Sequence, residues 1–215
     1  MQRYKTLKDH VYDFIADAMA IGTIETDKKI NENKICEKLD ISRTPVREAL
    51  IQLNGEGVLE NIPRKGFVVR HLTTEQLKQI YMIIGMLDGL AAKLAMPNMN
   101  EEIFSKMGLL ISNMSNDIDS GNYSAYGAHQ KAFHFTYIDE CENTMLIETL
   151  EYLNKRIWRA SYKNSSEAEN ESILHATNEE HKKILNLLKK GFGEEVEQYI
   201  SHVHWRPENA YYDVL

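Results

Sequence analysis

Two arginines in one short segment are spaced to lie on the same side of a helix. The segment reads Ser42-Arg43-Thr44-Pro45-Val46-Arg47, and one helical turn separates Arg43 from Arg47. An arginine near the start of a helix in the DNA major groove can donate two parallel hydrogen bonds to guanine O6 and N7. The hydroxyls of Ser42 and Thr44 suit phosphate oxygens. These residues predict contacts with duplex DNA, in which Arg43 and Arg47 read the bases.

A second basic group lies shortly after this segment, in Pro63-Arg64-Lys65-Gly66. The group separates two short extended runs, 58–61 and 67–70, and therefore has the position of a hairpin turn. Basic side chains next to a small glycine suit close approach to a DNA backbone or minor groove. The sequence thus predicts a β-hairpin whose tip offers Arg64, Lys65 and Gly66 to DNA.

The elements that position these residues are three helices at the N-terminus. Apolar residues at helical spacing predict a first helix that ends at Gly22; they are Leu7, Val11, Ile15 and Met19. A short second helix is expected from Asn31 to Asp40, where aspartate tolerates the left-handed backbone of a tight turn. The third helix starts at Ser42. Three helices and a hairpin predict a winged helix-turn-helix domain over 1–70, whose third helix enters the major groove.

The net charge of −7 is unevenly distributed along the 215 residues. Residues 1–72 hold 12 basic and 11 acidic residues, a charge of +1, whereas the remaining 13 basic and 21 acidic residues give −8. DNA binding requires a local basic face rather than a basic chain. The two cysteines, Cys36 and Cys141, lie far apart in apolar-periodic segments, which favours buried free thiols and a reducing cytoplasm.

Residues 73–215 are predicted to form a second, all-helical domain. Thr73 to Gln76 has the form of a capping box, and only helical patterns follow it. The expected helices span 73–96, 100–119, 123–140, 144–163, 173–190 and 194–204. The polar run 164–172 is expected to be a loop. The fold class is therefore mainly α, an N-terminal winged helix-turn-helix with a small β-hairpin wing and a C-terminal all-α helical bundle.

The most apolar stretch of the chain is 80–96. Asp88 and Lys93 interrupt it, so it is shorter than a membrane span requires, and no membrane partner is expected. The stripe formed by Ile80, Ile83, Leu87 and Leu94 has helical spacing and could serve either the core or a dimer contact. Of these two roles, the core is favoured.

The quoted segments closely resemble the DNA-binding domain of the GntR family. The resemblance rests on Ser42 to Leu50, on Gly55-Glu56-Gly57-Val58-Leu59 and on Arg64-Lys65-Gly66, and covers residues about 7–70. The helical remainder resembles the ligand-binding domain of the FadR-like subfamily. The resemblance implies a homodimeric regulator of a palindromic operator, most often a repressor, whose affinity for double-stranded DNA changes with a small-molecule effector.

The same resemblance implies a metal site in the second domain. The subfamily often holds a divalent metal through one Asp and three His, with the Asp four residues before the first His. His134 and His181 match two histidines, and His202 or His204 matches the third, but Gln130 stands where the Asp is expected. A three-imidazole site suits zinc, nickel or copper better than manganese. The expected cofactor is thus a divalent transition metal such as zinc or nickel.

The effector site also departs from the subfamily pattern. Members often carry an Arg four residues before an acidic residue on the first helix of this domain, whereas here Ile84 precedes Asp88. An organic-acid effector would lose that anchor. Arg156 and Arg159 are the expected substitutes, and Gln130 is expected to contact the effector.

Two other functions remain open on the sequence alone. A metal-dependent hydrolase would use the histidines to activate water, but the chain has no His-Glu-x-x-His pair, phosphate loop or nucleophile motif. A DNA-binding regulator that has lost its effector agrees with Gln130 and Ile84. The resemblance favours the effector-controlled regulator and not an enzyme.

Overall fold

The computed structural model describes residues 5–157 and 167–213. It separates the chain into two compact units, one that ends at Leu72 and one that begins at Thr73.

The first unit is a winged helix-turn-helix, as the sequence predicted. Its elements are α1 (Leu7–Ala20), α2 (Glu32–Leu39), α3 (Arg43–Gly55), β1 (Leu59–Ile62) and β2 (Gly66–Val69). The strands pair antiparallel, with Leu59 opposite Val69 and Ile62 opposite Gly66. The helices are held together by their apolar faces, which bury Val11, Ile15, Ile35, Val46, Leu50 and Leu53.

The backbone of this unit turns at residues in left-handed conformations. Asp40 ends α2 with φ 54° and ψ 47°, which confirms its predicted role in the turn before α3. Arg64 and Gly66 at the wing tip have φ values of 67° and 94°. The sequence reading missed one pairing, in which the amide of Ile30 donates to the carbonyl of Phe67 at 2.8 Å and adds a short edge to the hairpin.

Among its described residues, the second unit consists of helices and the turns that join them, without a strand. Its helices are α4 (Thr74–Ala95), α5 (Glu101–Asp119), α6 (Tyr123–Ile138), α7 (Thr144–Arg156), α8 (Glu167–Lys189) and α9 (Gly193–Tyr199). A π-helical turn, Ile200–His204, continues α9. One 3-10 turn, Met96–Asn98, follows α4, and another spans Pro207–Asp213. The capping box predicted at Thr73 and Gln76 is formed. The mainly α fold class is confirmed.

Helix α8 starts earlier than the sequence predicted. The polar run 164–172 was expected to be a loop, but 167–172 belong to α8, while 158–166 lie outside the described residues. Alanine and glutamate are good helix formers, and acidic residues are favourable in a first helical turn. Asn170 is buried at 3% exposure. This polar run therefore forms the start of a helix, with Asn170 turned into the core and its exposed neighbours facing solvent.

Helix α4 lies very close to the C-terminal segment. A Cβ atom at Gly85 would lie 2.8 Å from Cβ of Trp205, and one at Gly89 would lie 2.6 Å from the carbonyl oxygen of Glu197. Glycine removes the atoms that would otherwise separate the backbones. This approach brings Asp88 to the interior of the unit, where it is 1% exposed.

The opposite side of α4 is largely exposed, which differs from the core role favoured for the apolar stripe. Ile80 is buried, but Ile83 and Leu94 are 46% and 40% exposed. They belong to what we call the α4 apolar face, which has six members at one side of the helix: Met82, Ile83, Met86, Leu87, Leu90 and Leu94. The core is instead supplied by the other side of α4, through residues such as Leu77, Ile84 and Ala91.

Candidate metal centre and nucleic-acid interface

The predicted DNA-contacting side chains lie on one exposed side of α3 and at the wing tip. Val46, Leu50 and Leu53 turn into the core, which leaves Arg47 and the first turn of α3 facing solvent. The exposed residues are Ser42, Arg43, Thr44, Arg47, Arg64 and Lys65, and Gly66 is half-buried. The structure thus presents two basic groups, on α3 and the wing, at the surface of the first unit.

Arg43 has a partner that the sequence reading missed. Its Nε donates to Oε2 of Glu32 on α2 at 2.9 Å, and the Arg43 side chain remains 65% exposed. An exposed ion pair of this kind contributes about 0–1 kcal/mol and is easily exchanged for another acceptor. Glu32 therefore holds Arg43 loosely and leaves its Nη donors available.

Three histidines from separate segments meet inside the second unit. His134 comes from α6, His181 from α8 and His204 from the π-helical turn, and each is at most 4% exposed. Their ligand nitrogens all lie within 4.8 Å of one another. Nε2 of His134 and Nε2 of His204 are 3.1 Å apart. The structure brings together three of the four histidines proposed from the sequence.

The fourth, His202, lies outside this cluster. Its side chain is exposed, and its Nδ1 lies 2.8 Å from Oγ of Ser201. The π-helical turn explains why the sequence left His202 and His204 unresolved. The amide of Trp205 donates to the carbonyl of Ile200, five residues back rather than four. Because the turn contains one more residue than an α-helical turn, the residues after it face other directions than α-helical spacing predicts, and His204 faces inward.

The three imidazoles fit a divalent transition metal. Two nitrogens that bind one zinc ion at about 2.0–2.1 Å in tetrahedral geometry are about 3.3 Å apart. The separation of 3.1 Å between the His134 and His204 nitrogens is close to that value. A set of three neutral nitrogen donors suits zinc, nickel or copper, and leaves a fourth position for water or another ligand.

Asp88 is a site residue that sequence reasoning did not assign to the cluster. Its Oδ2 lies 2.8 Å from Nδ1 of His134, Tyr137 donates its hydroxyl to Oδ1 at 2.6 Å, and Trp205 donates Nε1–H to Oδ2 at 2.7 Å. Burial opposes ionisation of Asp88, but the facing His134 and these donors outweigh it and hold the pKa of the carboxyl below its ordinary value. Asp88 is therefore an ionised carboxylate behind His134.

Glu180 stands behind His204 in the same way. Its Oε2 lies 2.9 Å from Nδ1 of His204, and its Oε1 lies 3.3 Å from Nη2 of Arg206. Burial lowers the pKa of His204 below its ordinary value, although Glu180 opposes that shift. A neutral imidazole at this position is the form that binds a metal.

A cavity of about 350 Å³ adjoins the cluster, and His204 belongs to both. Its polar lining includes Tyr81, Gln130, Thr177, Glu180, Arg206 and Asn209. The predicted effector residue Gln130 is thus at the cavity, 7% exposed. Among the described residues that line the cavity the arginine is Arg206, whereas Arg156 stands at the end of α7 against Tyr152. Arg159 lies outside the described residues.

An exposed basic α3 and wing in one unit, with a buried three-histidine cluster beside a cavity in the other, define a class of protein: a DNA-binding domain joined to a helical sensor domain. Comparison with known proteins identifies the family. Residues 7–69 match the description "Bacterial regulatory proteins, gntR family", and residues 79–204 match the FCD domain. The chain belongs to the GntR family and carries an FCD domain.

Individual relatives agree with this assignment. The HTH-type transcriptional regulator YdhC of Bacillus subtilis is 28% identical over 93% of this chain and 85% of its own length. The "Probable D-xylose utilization operon transcriptional repressor" of Paenarthrobacter nicotinovorans is 27% identical over 92% and 85%. The solved structure of McbR/YncC from E. coli has the same fold, with a TM-score of 0.80, 23% identity and 94% of each chain covered.

This family membership establishes the general function. The chain is a DNA-binding transcription regulator and not an enzyme, which agrees with the sequence expectation. Thr74–Asn98 is long and apolar enough to cross a membrane, but half of its most apolar window is buried inside the unit, as in an ordinary core helix.

Proposed function

We propose that the chain is a cytoplasmic, homodimeric repressor whose operator affinity is set by a small carboxylate effector held beside a three-histidine transition metal. The observation that carries this proposal is the meeting of His134, His181 and His204 next to a 350 Å³ cavity. A buried group of metal-binding nitrogens that opens to a cavity is the usual form of a ligand site.

On the DNA side, we assign base reading to Arg43 and Arg47 and phosphate contacts to Ser42 and Thr44. The support is their shared exposure at the start of α3, where bidentate contacts to guanine are geometrically accessible. Arg64, Lys65 and Gly66 are assigned to the backbone or minor groove at the wing. Repression is proposed because a relative of similar length carries that description.

Dimerisation is assigned to the α4 apolar face. Ile83, Leu87, Leu90 and Leu94 follow the alternating spacing of four and three residues that helices use to pack side by side. A second copy of the chain offers the same face, so a two-fold contact between α4 helices is self-complementary. Such a dimer would match a palindromic operator with one recognition helix for each half-site.

The effector is assigned to the cavity, with Arg206 as the anchor for its carboxylate. Arg206 uses Nε for Asn209 and Nη2 for Glu180, so it is held in place with further donors available. Gln130 offers hydrogen bonds, and a metal on the histidines would add positive charge for an anion. An effector that binds one state of the dimer better would shift operator affinity by about 1–3 kcal/mol.

The proposal is tested by selecting an operator from a random-sequence duplex library with the full chain. The affinity of the selected duplex is then measured with and without one equivalent of zinc and a panel of malonate, malate and citrate. Selection of a palindrome whose affinity changes at least several-fold with a zinc–carboxylate pair supports the proposal. A selected operator whose affinity is the same under all these conditions contradicts effector control and favours a ligand-independent regulator.

A further inference from the structure

Asp88 lies within hydrogen-bond distance of three polar groups from two other segments of the unit. It is 1% exposed and joins α4 to His134 and Tyr137 on α6 and to Trp205 in the C-terminal segment. We propose that Asp88 is the positioning residue of the three-histidine site, because it fixes the tautomer of His134 so that Nε2 is free to bind the metal. This inference rests on the proposed metal site.

The tautomer follows from counting the available protons. The Tyr137 hydroxyl donates its one proton to Oδ1 of Asp88 at 2.6 Å, and Trp205 donates Nε1–H to Oδ2 at 2.7 Å, so both oxygens of the carboxylate act as acceptors. Nδ1 of His134 lies 2.7 Å from the same hydroxyl oxygen and 2.8 Å from Oδ2 of Asp88. Both neighbours are therefore acceptors for Nδ1. His134 must carry a proton on Nδ1, and when it is neutral Nε2 carries a lone pair.

The carboxylate of Glu180 orients His204 in the same way. Its Nδ1 lies 2.9 Å from Oε2 of Glu180, which favours a proton on Nδ1 and a lone pair on Nε2. The two Nε2 atoms then face each other at 3.1 Å. Two lone pairs at that distance repel, and either a metal ion or a proton between the two nitrogens relieves the repulsion. The carboxylates behind the rings thus prepare a place for a metal at their front.

This arrangement also explains how the site tolerates Gln130. Gln130 supplies no negative charge at the position where the family pattern has a ligand carboxylate. Asp88 and Glu180 supply negative charge from behind the histidines without occupying a coordination position. Carboxylates placed in this way raise the basicity of the ligand histidines and fix their orientation.

The test uses Asp88→Asn in the full chain. An amide has one acceptor oxygen, so it cannot accept from all three donors, and its NH₂ group can donate to Nδ1 and favour the wrong tautomer. We expect zinc affinity, measured by competition with a chromophoric chelator, to fall about 10- to 100-fold. Asp117→Asn is the matched control, because it neutralises a carboxylate that lies 2.6 Å from Nδ1 of His129, a histidine outside the cluster. Its zinc affinity should stay near the wild-type value.

Long-range ¹H–¹⁵N spectra of histidine-labelled wild-type protein give a second readout that does not depend on how any variant folds. In the zinc-loaded protein, His134 should show a protonated Nδ1 and a metal-bound Nε2. Coordination of His134 through Nδ1, or wild-type zinc affinity in a folded Asp88→Asn protein, would overturn the role of Asp88 while leaving the metal site intact. Failure of the wild-type protein to bind zinc would contradict the proposed metal site itself.

Discussion

The Nε2 atoms of His134 and His204 lie 3.1 Å apart although the two residues come from α6 and from the π-helical turn after α9. That distance, with carboxylates behind both rings, supports the proposed cation site. The same unit holds the cavity and the α4 apolar face. Metal, effector and dimer contact are therefore all assigned to one helical domain.

Arg47→Ala tests the assignment of base reading to α3. Its loss should weaken binding to the selected operator by about 1–3 kcal/mol and relax base preference at one position of each half-site. Fluorescence anisotropy with the selected duplex and single-base variants measures both effects. Lys106→Ala, an exposed basic residue of the sensor unit, is the control and should leave base preference unchanged. Equal preference in the Arg47→Ala and wild-type proteins would rule out this placement.

Met86→Glu tests the dimer contact. A charge in the middle of the α4 apolar face would be buried without a partner, so the dimer should dissociate to monomers in analytical ultracentrifugation. Leu109→Glu is the matched control, because Leu109 is a 62% exposed apolar residue on α5. It should remain dimeric. A Met86→Glu protein that sediments as the wild type would show that copies associate through another surface.

Gly89→Ala tests the close contact that brings Asp88 inside. A Cβ there would lie 2.6 Å from the backbone oxygen of Glu197, which cannot move aside freely, so we expect a loss of about 1–3 kcal/mol in the free energy of unfolding. Among the described residues, no atom lies within 4 Å of a Cβ at Gly108 on α5. Gly108→Ala should therefore stabilise the protein by up to about 1 kcal/mol. Urea unfolding compares the two, and equal values would refute the close contact.

Arg206→Gln tests the effector anchor. Loss of the guanidinium should reduce the affinity of the zinc-loaded protein for the carboxylate probe that shifts operator binding, by about tenfold or more, since charged hydrogen bonds contribute about 1.5–3 kcal/mol. Isothermal titration calorimetry gives this affinity. Arg156→Gln is the control, because Arg156 stands against Tyr152 at the end of α7. If Arg156→Gln lost affinity and Arg206→Gln did not, the anchor would be assigned to the wrong residue.

The first unit was predictable because its signals are local. The spacing of Val11 and Ile15, the cap at Asn31 and the turn at Asp40 each depend on a few neighbouring residues, and each was found as expected. Contacts between segments that are distant in the sequence could not be predicted from such local patterns. The bond between Arg43 and Glu32 depends on how α2 crosses α3, which no local pattern encodes.

The sensor unit was predictable as a set of helices but less so as a site. Asp88 was read only as the acidic residue of a family pattern, whereas its contact with His134 depends on how α4 packs against α6. The π-helical turn before Arg206 contains one extra residue, so α-helical spacing could not decide between His202 and His204. The polar start of α8 was read as a loop because charge alone does not separate a solvent-facing helix from a coil.

The measurement that tests the central claim most directly is the metal content of untagged protein purified without chelators, determined by elemental mass spectrometry. The wild-type protein and His202→Ala, which alters an exposed histidine outside the cluster, should each carry a near-stoichiometric amount of zinc, nickel or copper. The His134→Ala/His181→Ala variant should carry almost none. Metal absent from the wild-type protein, or present equally in both variants, would contradict the three-histidine site.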